Sequence, residues 1–230
     1  MANVKNNNLF SMSYYRAFLE IAKTNGYHFV TLQEFLNKGC PKEKHIVLRH
    51  DLDTKPQTLQ KMLNVEEDLG ARSTTFVRVL GNDYNFLSYP VFDMIKNAKS
   101  RGHEIGLHTS CVEWAKINNE DPFAVLELEV SVLKKFIDFQ GIAPHRDINY
   151  SYNSLPFIED NWEKIVSLGI TYQGYQKILT DNTVYVNEGF NPHLCWRKHA
   201  PEDIIPSGKT MYILTHNHWW YEKHPFEEWA

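Results

Sequence analysis

Disulfides, membrane spans and a basic surface are all missing from this sequence. It holds three cysteines, Cys40, Cys111 and Cys195, too few and too scattered for a disulfide framework. No apolar run approaches the roughly twenty residues a membrane helix needs. The opening MANVKNNNLF lacks the charged-then-apolar layout of a secretory signal, so a cytoplasmic location is expected. The formal net charge is -4 and the pI is about 6.3. That leaves no basic field for nucleic acid and no polybasic patch for a membrane surface. Neither a repeat, a low-complexity tract nor a linker interrupts the chain. What remains is 230 residues with 43% hydrophobic content, enough for one large domain with a sizeable core.

Hydrophobic spacing sets the order of elements. SMSYYRAFLEIAKTNGY reads as an amphipathic helix ending at Gly26. Thr31 and Glu34 form a capping-box pattern that opens a short second helix. HIVLRHDLD is strand-like, and PQTLQKMLNVEEDLGA is a helix with Pro56 in its first turn and Gly70 at its end. The alternation continues. STTFVRVL, HEIGLHT, IAPHRD and ITYQGY read as strands, and helical stretches separate them. A less regular segment runs from about Gln176 to Ser207, before a last strong strand, TMYILTH. Strands alternating with helices argue a parallel sheet with helices outside, open or closed into a barrel. In both forms the chemistry sits at the carboxyl ends of the strands.

Polar residues gather at those ends. In IVLRHDLDTKP an apolar strand runs straight into Arg49, His50, Asp51 and Asp53. Alternation puts Arg49, Asp51 and Asp53 on one face. Carboxylates two residues apart start roughly 6–7 Å from each other, and at an effective dielectric near 20 they repel by about 2.5 kcal/mol. A divalent cation reverses that balance: one Asp binds it and the other stays a free base. In HEIGLHT, Glu104, Gly106 and His108 share a face, and His108 at the strand end suits a metal. MYILTHNHWW presents His216 and His218 beside Trp219 and Trp220. A histidine against an apolar wall is a candidate general acid. In PHRDINY, Arg146 is able to pin a carboxylate with two hydrogen bonds.

The order of these motifs resembles the polysaccharide deacetylase family, the NodB-like carbohydrate esterases. The resemblance covers about Lys44 to Trp220. It is nearest to a branch with Arg-His-Asp-x-Asp first and His-x-x-Trp-Trp last. It implies an α/β fold, a distorted (β/α) barrel, as a single domain of residues 1–230. Residues 1–43 would form lead-in helices and 44–220 the catalytic barrel. It also implies a divalent metal, usually zinc, and hydrolysis of an N- or O-acyl group on a sugar. By position, Asp51 resembles the catalytic base, Asp53 a metal ligand and His108 the first histidine ligand. Arg146 resembles the arginine that orients the base, and His216 the acid that protonates the leaving group.

One departure is decisive. The family's second motif is His-Ser/Thr-x-x-His, and here it reads His108-Thr-Ser-Cys-Val112. Valine binds no metal. His145 is the first substitute for the missing ligand, His218 the second and Glu113 the third. The usual Arg-x-Pro is also replaced by Arg146-Asp147-Ile148.

Two rival readings follow from the residues. One is an inactive sugar-binding relative that keeps the barrel without a full metal site. The other is an iron(II) oxygenase, from His145, Asp147 and a distal histidine; the strand–helix alternation speaks against it. For the substrate, Trp196, Trp219, Trp220 and His218 are the expected sugar contacts. Arg197, Lys198 and His199 lie in a long polar loop, where they could meet a phosphate or carboxylate. A cytoplasmic enzyme would act on a nucleotide- or lipid-linked sugar precursor in surface polysaccharide biosynthesis.

Overall fold

The computed structural model describes residues 9–147, 151–189 and 195–223. In chain order the elements are α1 Met12–Thr24, β1 His28–Val30, α2 Leu32–Asn37, β2 His45–Leu52, α3 Pro56–Leu69, β3 Thr74–Val77, α4 Tyr89–Ser100 and β4 Glu104–Thr109. Next come α5 Cys111–Asn118, α6 Pro122–Lys134, β5 Gly141–Pro144, β6 Arg146–Asp147, β7 Tyr152–Asn153, α7 Leu155–Asp160 and α8 Trp162–Ser167. The last are β8 Tyr172–Gln173, α9 Lys177–Asn182, β9 Val184–Asn187, α10 Pro201–Ile204 and β10 Met211–His216. The Thr31–Glu34 capping box forms as its spacing predicts. Gly70, in the left-handed region at φ 67°, closes α3.

One parallel sheet, ordered β8-β5-β4-β3-β2-β10-β9, curls into a distorted (β/α) barrel, the fold class expected from sequence. β1 extends it beside the start of β2. Among the described residues β8 and β9 do not pair, so the barrel stays open between them. Alternation along β2 explains its near-total burial. Ile46, Leu48 and Leu52 pack outward under helices, while Val47 joins Phe76, Ala143, Tyr172 and Tyr212 inside the barrel. Gly106 is required there: a Cβ on it would lie 2.4 Å from the Phe76 ring.

Three local expectations change, and one stretch given no assignment is helical. CVEWAKIN is helix α5. The strand expected over IAPHRD stops at Pro144, and Arg146 turns into a two-stranded antiparallel hairpin with β7. The single helix expected over SLPFIEDNWEKIVSLG is two short ones meeting at Asn161. Within the segment read as irregular, β9 pairs with β10.

Candidate functional site

Strand register brings the motifs together. β2 and β10 are neighbours with Asp51 opposite His216. β4 and β5 are neighbours with His108 opposite Ala143. The four carboxyl ends open into one cavity of about 630 Å³. Asp51, Asp53, His108, His145, His216 and His218 all line it.

Asp53 stands one residue past the end of β2. Its Oδ1 lies 3.2 Å from His108 Nε2 and 3.7 Å from His145 Nε2. Candidate ligand atoms of these three residues all lie within 4.8 Å of one another. The histidine tautomers decide what the cluster suits. His108 Nδ1 donates to the Ala143 carbonyl at 2.8 Å, so in the neutral imidazole the proton is on Nδ1 and Nε2 offers its lone pair. His145 Nδ1 donates to Glu113 Oε2 at 3.0 Å, so in its neutral form Nε2 offers a lone pair as well. Burial pushes the Glu113 carboxyl up, but His145 and Arg78 outweigh it and hold the carboxyl below its ordinary range. Three acceptors therefore face one point. Asp53 Oδ1 is buried there with no hydrogen-bond partner. A divalent cation fits this donor set, with outer hydrogen bonds that fix both imidazoles. Of the three substitutes for the missing ligand, His145 reaches the cluster. Glu113 sits behind it as its hydrogen-bond partner. Val112 packs against the hydrophobic core.

Asp51 is held differently. Arg49, two residues earlier on the same face, donates Nε to Oδ1 and Nη2 to Oδ2, both at 2.7 Å. Arg49 is fully buried. Its Nη1 donates to the Gly174 carbonyl and to Tyr212 Oη, each at 3.0 Å, and its guanidinium lies 4.3 Å from the Tyr175 ring centroid. Gly174 must lack a side chain, since a Cβ would fall 2.7 Å from Arg49 Nη1. Burial pushes the Asp51 carboxyl up, and Arg49 more than reverses it. Arg146 was expected in this role. It is exposed on the hairpin because its strand ends at Pro144, and Arg49 already occupies both oxygens of Asp51.

His216 Nδ1 donates to Glu188 Oε2 at 3.0 Å, and its Nε2 lies 3.9 Å from Asp53 Oδ2. Burial lowers the imidazole's pKa, but the Glu188 hydrogen bond and charge carry it up to about 9. Glu188 also accepts from the His216 backbone N–H at 2.7 Å and from Trp220 Nε1 at 3.2 Å. Asn217 donates to the Thr54 and Lys55 carbonyls, tying the loop after Asp53 to the end of β10.

The expected aromatic contacts divide. Trp219 and His218 line the cavity. Burial, followed by the charge of His216, lowers His218 to about 4. Trp220 and Trp196 do not face it. Trp220 is 3% exposed and packs on Phe10 and Tyr15 at 4.9 and 4.8 Å between ring centroids. Trp196 packs on Phe10 at 5.1 Å and donates Nε1 to Tyr14 Oη. Apolar α1 draws both rings inward. Tyr175 and Tyr185 take the cavity wall instead.

Sequence reasoning assigned no role to Arg49, Glu188 or Asn217, and weighed Glu113 only as a ligand. The i,i+2 spacing of Arg49 and Asp51 was a usable signal. Glu188 carried none, because β9 was not recognised.

A solved Streptococcus pyogenes deacetylase, PplD, determined in complex with acetate, matches 90% of this chain and 92% of its own, with a TM-score of 0.54 and 16% identity. The fold is shared with a deacetylase. At that identity the likeness concerns the fold. No family model matches the chain, and no curated protein is similar to it in sequence.

Proposed function

We propose that the chain is a metal-dependent deacetylase of the NodB type that removes an acyl group, acetyl first, from a sugar or sugar precursor. The proposal includes a single catalytic domain preceded by the lead-in helices of residues 1–43. The observation that carries the reading is the bare acceptor set of Asp53, His108 and His145 between the Arg49-bound Asp51 and the Glu188-bound His216. The shared deacetylase fold supports it.

A divalent cation held by Asp53, His108 and His145, zinc by the chemistry of two imidazoles and one carboxylate, would supply a Lewis acid for the acyl oxygen and a water of lowered pKa. The chain's own groups do the rest. Asp51 is kept ionised and aligned by Arg49 and takes the proton of the attacking water. Each carboxylate oxygen spends one lone pair on the arginine and keeps another for that proton. His216, with Nδ1 committed to Glu188, presents Nε2–H to the leaving nitrogen or oxygen and gives up its proton as the tetrahedral adduct collapses. Each transfer group is typically worth about 10²–10⁴ in rate. The same reading places the enzyme in the cytoplasm, in the supply of a surface polysaccharide.

The test is acetate release from acetylated sugars by zinc-loaded protein. The reading predicts release that falls at least a hundredfold in Asp51→Asn with bound metal unchanged. A loaded protein that frees no acetate from N-acetyl or O-acetyl sugars, monomeric or polymeric, would contradict it.

A further inference from the structure

Among the described residues three arginines line the cavity, and two of them have no acidic partner. Arg78 is 3% exposed. It is spent on Ser110 Oγ at 3.0 Å and on Glu113 at 3.5 Å. Arg146 and Arg197 are different: among the described residues neither side chain has a hydrogen bond or an ion pair.

Their positions are built by the backbone. Arg146 pairs with Asn153 in the β6–β7 hairpin, which the His145 N–H anchors on the Thr109 carbonyl. Arg197 donates its backbone N–H to the Asn187 carbonyl at 3.0 Å, and Glu188 bridges Trp196 beside it. The two guanidiniums thus come from separate walls, one after β5 and one after β9.

Apart from Asp53, which awaits a cation, the charges nearest the reaction are already matched. Arg49 holds Asp51, His216 holds Glu188, and Arg78 and His145 hold Glu113. Asp83 and Asp147 also line the cavity, so what distinguishes Arg146 and Arg197 is unspent donors and not a net positive field. A neutral sugar needs hydrogen bonds and an aromatic face, which Tyr175, Tyr185 and Trp219 offer. Its hydroxyls accept single hydrogen bonds from a guanidinium but offer neither a charge nor a planar pair of oxygens to match two forks. An anion does, because each fork matches two oxygens of a phosphate or carboxylate.

We infer that the substrate carries an anionic group, phosphate or carboxylate, seated between Arg146 and Arg197 while its acyl group meets Asp51 and His216. The inference rests on the deacetylase reading for the acyl end and on the two free arginines for the anionic end. It gives Arg146 a substrate-binding role in place of the base-orienting one.

Binding is measured by calorimetry with excess chelator present, so that no cation contributes to anion affinity. The probes are glucose, glucose 1-phosphate, glucuronate and inorganic phosphate. The proteins are wild type, Arg146→Gln, Arg197→Gln, the double variant, and Lys38→Gln as an exposed control outside the cavity lining. Wild type is expected to prefer glucose 1-phosphate or glucuronate over glucose by at least tenfold. The preferred anion identifies phosphate or carboxylate. Each single variant should lose part of that preference and the double variant all of it. Lys38→Gln should keep it, and the preference should weaken as salt rises. Equal binding of glucose and both anionic sugars by wild type would overturn the inference. So would a preference that survives in the double variant. None of these readouts needs turnover, so a failed deacetylase assay leaves them interpretable.

Discussion

Arg49 grips Asp51 through two hydrogen bonds of 2.7 Å, and both residues are shut away from solvent. The pair spans two positions of one strand, so the backbone of β2 fixes its geometry. Lysine cannot reproduce a planar two-bond contact. Arg49→Lys should therefore fold and bind metal, yet lose tenfold or more in kcat on an acetylated sugar with KM little changed. Arg49→Met leaves Asp51 buried and unpaired, and should lose about 3–5 kcal/mol of stability. Kinetics on the first variant and urea unfolding of the second check both. Equal losses in kcat and metal content for Arg49→Lys would make Arg49 a mere structural prop.

Glu113 touches no candidate cation but sets the tautomer of His145. Removing such a partner typically costs about 10–100-fold in metal affinity. Glu113→Ala should show that loss in competition with a chelating dye, and Glu113→Gln should recover much of it by accepting the same hydrogen bond. Unchanged affinity in Glu113→Ala would detach Glu113 from the site.

Glu129 is fully buried beneath β4, where it accepts from the Thr109 hydroxyl at 2.5 Å and the Ser110 N–H at 3.2 Å. Burial carries its carboxyl from 4.5 up to about 7 despite those donors. The folded state thus keeps a proton that the unfolded chain releases. The stabilising contribution is complete below pH 4.5 and is lost as pH rises through about 7. A shift of that size corresponds to about 3 kcal/mol. Glu129→Gln should flatten the fall in stability between pH 5 and pH 8, read by urea unfolding at both. A slope equal to wild type would refute the assignment.

The two neighbouring tryptophans should part company. Trp220→Ala opens a hole beside Phe10 and Tyr15 and should cost about 3–5 kcal/mol. It also removes a donor to Glu188. Trp219→Ala, half-buried between the cavity and the edge of the core, should cost clearly less stability than Trp220→Ala and should weaken sugar binding. Calorimetric melting and a sugar titration separate the two, and a stable Trp220→Ala would undo the core placement.

Sequence alone carried the alternation of strand and helix, because both leave strong local periods, and so a parallel sheet with outer helices was legible; its closure into a barrel was implied only by the family resemblance. The residues at the strand ends were legible too: Asp51, Asp53, His108, His145 and His216 all reach the cavity. Roles that depend on long-range pairing were hidden. Arg146 looked able to hold a carboxylate while Arg49 was given no role, and only the end of β5 at Pro144 tells which does. Glu188 lies 28 residues from His216 and is joined to it by a β9–β10 register that a mixed, polar stretch does not announce. Trp220 and Trp219 are adjacent, and only the turn after β10 sends one to the core and the other to the cavity.

The most direct measurement of the central claim is calorimetric titration of zinc into metal-free wild type, Asp53→Asn, His108→Ala and His145→Ala. Wild type should bind one equivalent tightly, and all three variants should lose it while keeping their fold by circular dichroism. Wild-type binding in His145→Ala, or none in wild type, would contradict the three-ligand centre on which the hydrolase stands.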